Sequence, residues 1–253
     1  MTTGGEGELA FLASYDASRY PRPSVTVDVV LLTVDEGAIW TLLGRRADHP
    51  AKGLWALPGG FVEIDESLND AAARVLREKA DLDGVFMEQL FTFGAPDRDP
   101  RTRVISVAYY ALVDPATLLG AVARVDDGRL CVATIDVPWT GEAGGPVSAA
   151  NERGTNLELA FDHADILGAA MKRIRGKLDY TPIGFELLPR AFSLRDLRLV
   201  HEAILGRPLN KDSFRRRVLD RGLVVATGER ADGVGHRPPE LYRFAPQRGG
   251  ATP

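Results

Sequence analysis

The strongest constraint on the fold lies near residue 60. The run Leu54-Trp55-Ala56-Leu57-Pro58-Gly59-Gly60-Phe61-Val62 is apolar and turns through its proline and two glycines. Helical periodicity then runs from about Ser67 to Leu82, with Ser67 as N-cap and Asp70 in the capping-box position. An apolar approach, a glycine turn and a capped amphipathic helix form one local unit, punctuated by Gly60, Glu66, Arg74 and Glu78. Helix positions i, i+3 and i+4 share a face, because each residue turns the chain by about 100°. On one such face the chain reads Val75, Glu78 and Lys79: an aliphatic group, an anion and a cation.

Around this unit the sequence alternates strands and helices. Ser24 to Val34 alternates β-branched residues as a strand, and Ala38 to Arg45 is its partner across the turn Asp35-Glu36-Gly37. Val85 to Phe93 and Val104 to Val113 are further strands. Pro115 to Asn156 is less regular, and its glycine-rich part from Gly141 to Gly154 is expected as a surface loop. Leu157 to Leu178 is expected as a helix. Met1 to Gly7 has the composition of a disordered segment, and residues 1–20 are expected as a flexible N-terminus before a domain at 21–180.

The pattern changes after Pro189, and residues 181–253 are expected as a second domain. Ser193-Leu194-Arg195-Asp196 matches a capping box and opens a helix closed by Gly206. Asn210 caps a second helix running to Arg221, and strands follow at Leu223–Thr227 and Leu241–Phe244. Helix, tight turn, helix and two-stranded ribbon is the order of a winged helix-turn-helix. Helical steps place Phe214, Val218 and Leu219 on the buried side of the second helix, with Arg215 turned toward them. Ser213, Arg216, Arg217 and Asp220 lie opposite. Lys211, Ser213, Arg216 and Arg217 are therefore the candidate DNA contacts, joined by His236 and Arg237 from the loop between the strands.

Charge supports the division. Residues 186–253 hold 13 Lys and Arg against 8 Asp and Glu, whereas residues 1–185 hold 18 against 27. A basic tail on an acidic body is a prior for nucleic-acid contact by the tail. The single cysteine, Cys131, rules out an internal disulfide framework and fits a reducing cytoplasm. No segment has the pattern of a targeting leader, and no apolar run approaches membrane-spanning length. A cytoplasmic protein without membrane contact is expected.

Gly60, Glu66, Arg74 and Glu78 fall at the spacing of the Nudix box, G-x5-E-x7-R-E-φ-x-E-E-x-G-φ, where φ is aliphatic. Residues from about 20 to 180 resemble a Nudix domain, and the whole chain resembles the Nudix-related transcriptional regulators of NAD metabolism. Further residues carry the likeness: Gly44-Arg45-Arg46, Thr92-Phe93-Gly94, Asp99-Pro100-Arg101, Ser106-Val107-Ala108-Tyr109 and Phe161-Asp162-His163. Tyr180 to Pro189 looks like the family's linker to its winged helix. The resemblance implies an α+β chain, a Nudix α/β/α sandwich with a mixed sheet followed by a C-terminal winged helix-turn-helix domain. It also implies a repressor that binds operator DNA as a dimer and releases it on binding ADP-ribose or a related NAD-derived nucleotide.

The three glutamates that such a box helix presents to Mg²⁺ read Val75, Glu78 and Lys79 here, and its closing glycine reads Asp81. No catalytic residue is assigned, hydrolysis is expected to be absent or residual, and neither a cofactor nor Mg²⁺ is expected to be required. Glu66 and Glu78, with Glu63, are the weak metal candidates. Arg45, Arg46, Arg101 and Arg103 are candidates for a pyrophosphate, because guanidinium forks match phosphate oxygens. Trp55 and Phe93 could stack on adenine or pack on ribose, with core packing the equal alternative for Trp55. Gly60, Arg74 and Glu78 complete the candidate ligand set, with Arg74 read as a brace for the loop. The competing reading is a metal-dependent Nudix pyrophosphatase acting on ADP-ribose or a nucleotide sugar, with a C-terminal dimerisation module.

Overall fold

The computed structural model describes residues 5–124, 128–231 and 238–245. Its central strand, β1 (Ser24–Asp35), is apolar on both sides. Val27, Val29 and Leu31 enter one core, and Val30, Leu32 and Val34 enter another. A strand with two greasy faces must be covered twice, and this dictates three layers.

The first layer is a helix pair and the middle layer a nine-stranded sheet. In chain order the strands are β1, β2 (Ala38–Arg45), β3 (Trp55–Ala56), β4 (Gly59–Phe61), β5 (Phe86–Phe93), β6 (Val104–Leu112), β7 (Leu130–Asp136), β8 (Ser148–Ala150) and β9 (Asn156–Leu157). In space they run β5-β6-β1-β2-β7-β8-β9, with β3 on β2 and β4 on β1. β1 and β6 are parallel, with Val27 beside Val107, and the other pairings are antiparallel. The sheet is thus mixed.

The helices are α1 (Glu6–Ser14), α2 (Leu68–Ala80), α3 (Pro115–Arg124), α4 (His163–Lys177), α5 (Leu194–Leu205) and α6 (Lys211–Asp220). Helices α2 and α3 cover one face through Ala72, Val75, Leu76, Leu118 and Ala121. On the other face lie Ile166, Leu167, Ala170, Met171 and Ile174 of α4, joined by Val200 and Ile204 of α5. The second domain therefore begins with a helix that shares the core of the first.

Arg175 fastens this junction. It is buried on α4, and its guanidinium donates to the carbonyls of Ile204 at 2.6 Å, Trp139 at 2.9 Å and Gly141 at 3.2 Å. Ile204 lies in the last turn of α5, so the cation also meets the negative end of that helix. Burial nevertheless pulls the Arg175 pKa down.

A third core, that of the second domain, forms from Phe192, Leu197, Phe214, Val218, Val224 and Tyr242. Strands β10 (Val224–Arg230) and β11 (Glu240–Phe244) make the antiparallel ribbon, and Phe192 exchanges two backbone hydrogen bonds with Tyr242. The capping box at Ser193 and Asp196 and the Asn210 cap both form. Helix, turn, helix and ribbon follow as the sequence predicts.

Several expectations need correction. Residues Glu6–Ser14 form a helix within the segment for which the sequence led to no regular structure. The irregular stretch after Pro115 contains α3 and β7. Asp114 accepts from the Thr117 amide and hydroxyl at 3.1 and 2.6 Å, so the Asp-Pro pair starts a helix. α4 begins at His163, not Leu157. The chain before it stays extended because the Trp55 amide donates to the Glu158 carbonyl and the Ala160 amide donates to Trp55. Leu219 is 38% exposed rather than buried, since Phe214 and Val218 already fill the groove under α6.

Candidate functional site

Two cavities meet at Gly59, where β4 leaves the sheet edge. One is a cleft of about 420 Å³ between the end of β2, the Pro58–Gly59 turn and the last turn of α2. The other, of about 210 Å³, lies between β1, the 98–101 loop and the start of α4. Arg46, Ala56, Leu57 and Gly59 belong to both walls. Glycine is required at 59 by close approach. A Cβ there would sit 2.3 Å from Asp28 Oδ1 and 3.0 Å from the Val27 carbonyl oxygen.

A buried polar cluster floors the smaller cavity. Asp28 projects from β1 toward the α4 side, and its Oδ2 accepts from the Ser106 hydroxyl at 2.5 Å. Arg98 holds Asp162 with two bonds at 2.9 and 2.6 Å and lies 3.5 Å from Asp28. The His163 Nδ1 accepts from the Leu57 amide at 2.9 Å, which leaves its Nε2 facing Asp28 Oδ1 at 3.7 Å. Because Nδ1 accepts from the amide, the ring proton belongs on Nε2, and burial drives the His163 pKa down against the pull of Asp28. Burial also opposes the charge on Arg98, but the bonds to Asp162 outweigh it and its pKa is raised.

At the rim the charges are looser. Arg101 pairs with Asp99 through bonds of 3.0 and 2.8 Å and lies over the Phe61 ring. Arg46 donates to the Pro50 carbonyl at 2.8 Å, and its guanidinium stands 4.8 Å from the Phe161 ring centre. Burial and the nearby Arg101 lower the Arg46 pKa. Phe161 adopts a left-handed backbone, with φ of 55°, a conformation that a bulky residue holds only when its surroundings impose it. Arg46, Phe161 and His163 thus follow one another along the cavity wall, the two rings tilted at 50° with centres 5.6 Å apart.

The box helix presents a different arrangement. Arg74 donates to Glu66 at 3.0 and 2.5 Å, to the Phe61 carbonyl at 2.9 Å and to Glu78 at 3.4 Å. Glu63 lies 3.9 Å away, and its amide donates to Glu66 at 2.8 Å. The Arg74 bonds hold the Glu66 carboxyl down to about 2. Arg74 is the loop brace and does not line either cavity. Val75 is buried in the core under Gly60. Glu78 and Lys79 line the larger cleft, together with Arg45 and Arg129.

Not every candidate gathers here. Gly60 and Arg101 line the smaller cavity, and Arg45 and Arg46 the larger. Trp55 packs against the core beneath α4, and Phe93 packs there with its ring edge-on to Phe91. Neither ring lines either of these two cavities, because the sheet's alternation turns each toward the apolar layer. Arg103 is exposed beyond the strand end, and its carbonyl accepts from the Ser24 amide.

On α6 the residues Lys211, Ser213, Arg215, Arg216 and Arg217 are all exposed. Arg215 and Lys211 line a groove with Arg195, Arg198 and the ribbon residues Glu240 and Tyr242. Arg217 lies on the other flank, over the Phe214 ring and beside His201. The expectation that Arg215 turns inward is therefore corrected, and the two flanks separate Arg215 from Arg217 with Arg216 between them. His236 and Arg237 lie outside the described residues.

Comparison with known proteins resolves what this combination is. The NUDIX domain profile matches residues 22–137, and that of the NrtR DNA-binding winged helix domain matches residues 184–244. The ADPR responsive transcriptional repressor NtrR of Acinetobacter baylyi is 37% identical over 95% of this chain and 89% of its own length. The chain belongs to the NrtR family. The crystal structure of Shewanella oneidensis NrtR complexed with a 27mer DNA superposes with a TM-score of 0.71 at 33% identity, covering 88% of this chain and 94% of that one. A MutT/nudix family protein from Enterococcus faecalis reaches a TM-score of 0.73 at 26% identity over 96% and 94%.

In this NrtR-family chain, the sequence had flagged the box but not the floor of the smaller cavity. Asp28, Arg98 and His163 come from a strand, a loop and a helix start that are far apart in sequence. One signal was available: Asp28 is the single charge inside the apolar run Ser24 to Val34. A charge in the middle of a doubly buried strand must be paired. Among the described residues, no helix is long and apolar enough to cross a membrane.

Proposed function

We propose that the chain is a ligand-responsive transcriptional repressor of NAD-metabolism genes. Residues 181–253 bind operator double-stranded DNA as part of a homodimer. ADP-ribose, or a related NAD-derived nucleotide, enters the basic cleft within residues 21–180 and releases the operator. The observation that carries this reading is a cleft lined by Arg45, Arg46 and Arg129 whose box helix turns Val75 into the core and sets Lys79 in the cleft wall. Two-metal activation of water has little to work with there, and hydrolysis is absent or residual.

The relatives support both halves of the reading. The Acinetobacter protein is named an ADPR responsive repressor, and the Shewanella protein was crystallised on DNA. On the DNA side, Arg216 points directly away from the helix core, while Lys211 and Arg215 share the groove with the ribbon. Base contact belongs to Arg216 and Ser213, and phosphate contact to Lys211, Arg215 and Arg217. Release requires that the nucleotide bind the arrangement that misfits the operator more tightly than the one that fits it.

The test is fluorescence anisotropy of a labelled duplex from the chain's own promoter region, at fixed salt, with and without ADP-ribose. Specific binding that ADP-ribose abolishes is the expected outcome, and Arg216→Ala should weaken it by roughly tenfold or more. No preference over random duplex would overturn the repressor reading and return attention to metal-dependent hydrolysis.

A further inference from the structure

We propose that Lys79 replaces the divalent cation of the box, so that its ammonium holds the nucleotide's diphosphate and binding needs no metal. This inference rests on the nucleotide-binding reading above. It begins from the misfit between the residues present and a magnesium centre. Mg²⁺ asks for near-octahedral oxygen coordination, with at least one or two carboxylates free to face it. Here both oxygens of Glu66 are on Arg74, and Glu63 and Glu78 share the same guanidinium. Val75 is 1% exposed and has no oxygen to offer. Among the described residues, no group of three His, Cys, Asp or Glu side chains is placed to hold an ion.

Lys79 is placed to do what the ion did. It lies one residue from the end of α2 and lines the larger cleft opposite Arg45 and Arg46. The C-terminal turn of a helix carries partial negative charge, and Glu78 adds a full one. A diphosphate against this turn would be repelled unless a cation stood between them. Arg45, Arg46 and Arg129 line the same cleft as Lys79, so a diphosphate held by the Lys79 ammonium would lie among guanidinium groups. Among the described residues, no carboxylate lies within ion-pair distance of Lys79. Its flexible stem and three donors suit a point contact to phosphate oxygens.

The experiment is titration calorimetry of ADP-ribose into the full-length protein, in EDTA and in millimolar Mg²⁺. The wild type is expected to bind equally in both buffers. Lys79→Ala should weaken binding by about tenfold or more in both, on the scale of one charge-assisted hydrogen bond, while Lys79→Arg stays within a few fold of wild type. Lys79→Glu should bind poorly in EDTA and recover with Mg²⁺. Wild-type binding that vanishes in EDTA, or Lys79→Ala binding at full strength in EDTA, would overturn the surrogate role and leave the nucleotide reading standing. Failure of the wild type to bind in either buffer would instead strike the effector reading itself. Lys79 is exposed, so unchanged circular dichroism of the variants separates lost contact from lost fold.

Discussion

Two charged networks flank the Gly59–Gly60 turn, and they are built on opposite plans. The Arg74 network joins residues within one helix and its leading loop, from Glu63 to Glu78, and sits at the surface. The Arg98 network joins its own loop to Asp28 of β1, Ser106 of β6 and the adjacent Asp162 and His163, four separate segments, with the Arg98 side chain only 5% exposed. Near-neighbour charges in water are cheap to arrange and weak. Distant charges brought together out of water are costly to leave unpaired and hold the tertiary structure around them. The first network braces a loop, and the second locks β1, β6, the 98–101 loop and α4 around a cavity.

Breaking the buried network should show the largest effect. Arg98→Ala leaves Asp28 and Asp162 without their cation, and a loss of about 3–5 kcal/mol in urea denaturation is expected. A loss under 1 kcal/mol would mean that water already reaches the cluster. Gly59→Ala presses a methyl group onto Asp28 from the cleft side. It should cost about 1–3 kcal/mol and also reduce ADP-ribose affinity, because the turn separating the two cavities must shift. Wild-type behaviour in both readouts would refute the close approach.

Arg74→Ala should be the mildest at neutral pH, with little movement of the denaturation midpoint. Its signature is instead in acid. The Glu66 pKa is lowered in the folded state from 4.5 to about 2, so this contribution is present above pH 4.5 and is lost as pH falls toward 2. The gap between wild type and variant should therefore close across that window. A gap that stays constant down to pH 2 would show that Arg74 acts through the Phe61 carbonyl alone.

The same contrast explains what could be read from the chain. The Arg74 network was legible in part, since Arg74 and Glu78 are one helical turn apart, while Glu66 stands at its motif spacing just before the N-cap Ser67. The caps at Ser67, Ser193 and Asn210 were legible for the same reason. Trp55 was left between ligand and core, and Phe93 was placed toward a ligand, because aromatic type says nothing about which face of a strand it occupies. That depends on register, which places both under α4. His163 stood inside a stretch that carried the family likeness, but its role and that of Arg98 had no local signal, because their partners lie 106 and 64 residues away. The start of α4 was misjudged where Leu157–Ala160 spends its backbone donors and acceptors on Trp55, a competition that helix periodicity does not register.

The helix shared by the cores of both domains has a mechanical consequence. Val200 and Ile204 are embedded under the sheet, and Arg175 grips the last turn of the same helix, so the reading head is bolted to the sensor rather than strung from it. For the dimeric repressor proposed here, the protein behaves like a pair of calipers with stiff arms, and the pivot that resets the span between two operator half-sites lies where the two copies meet.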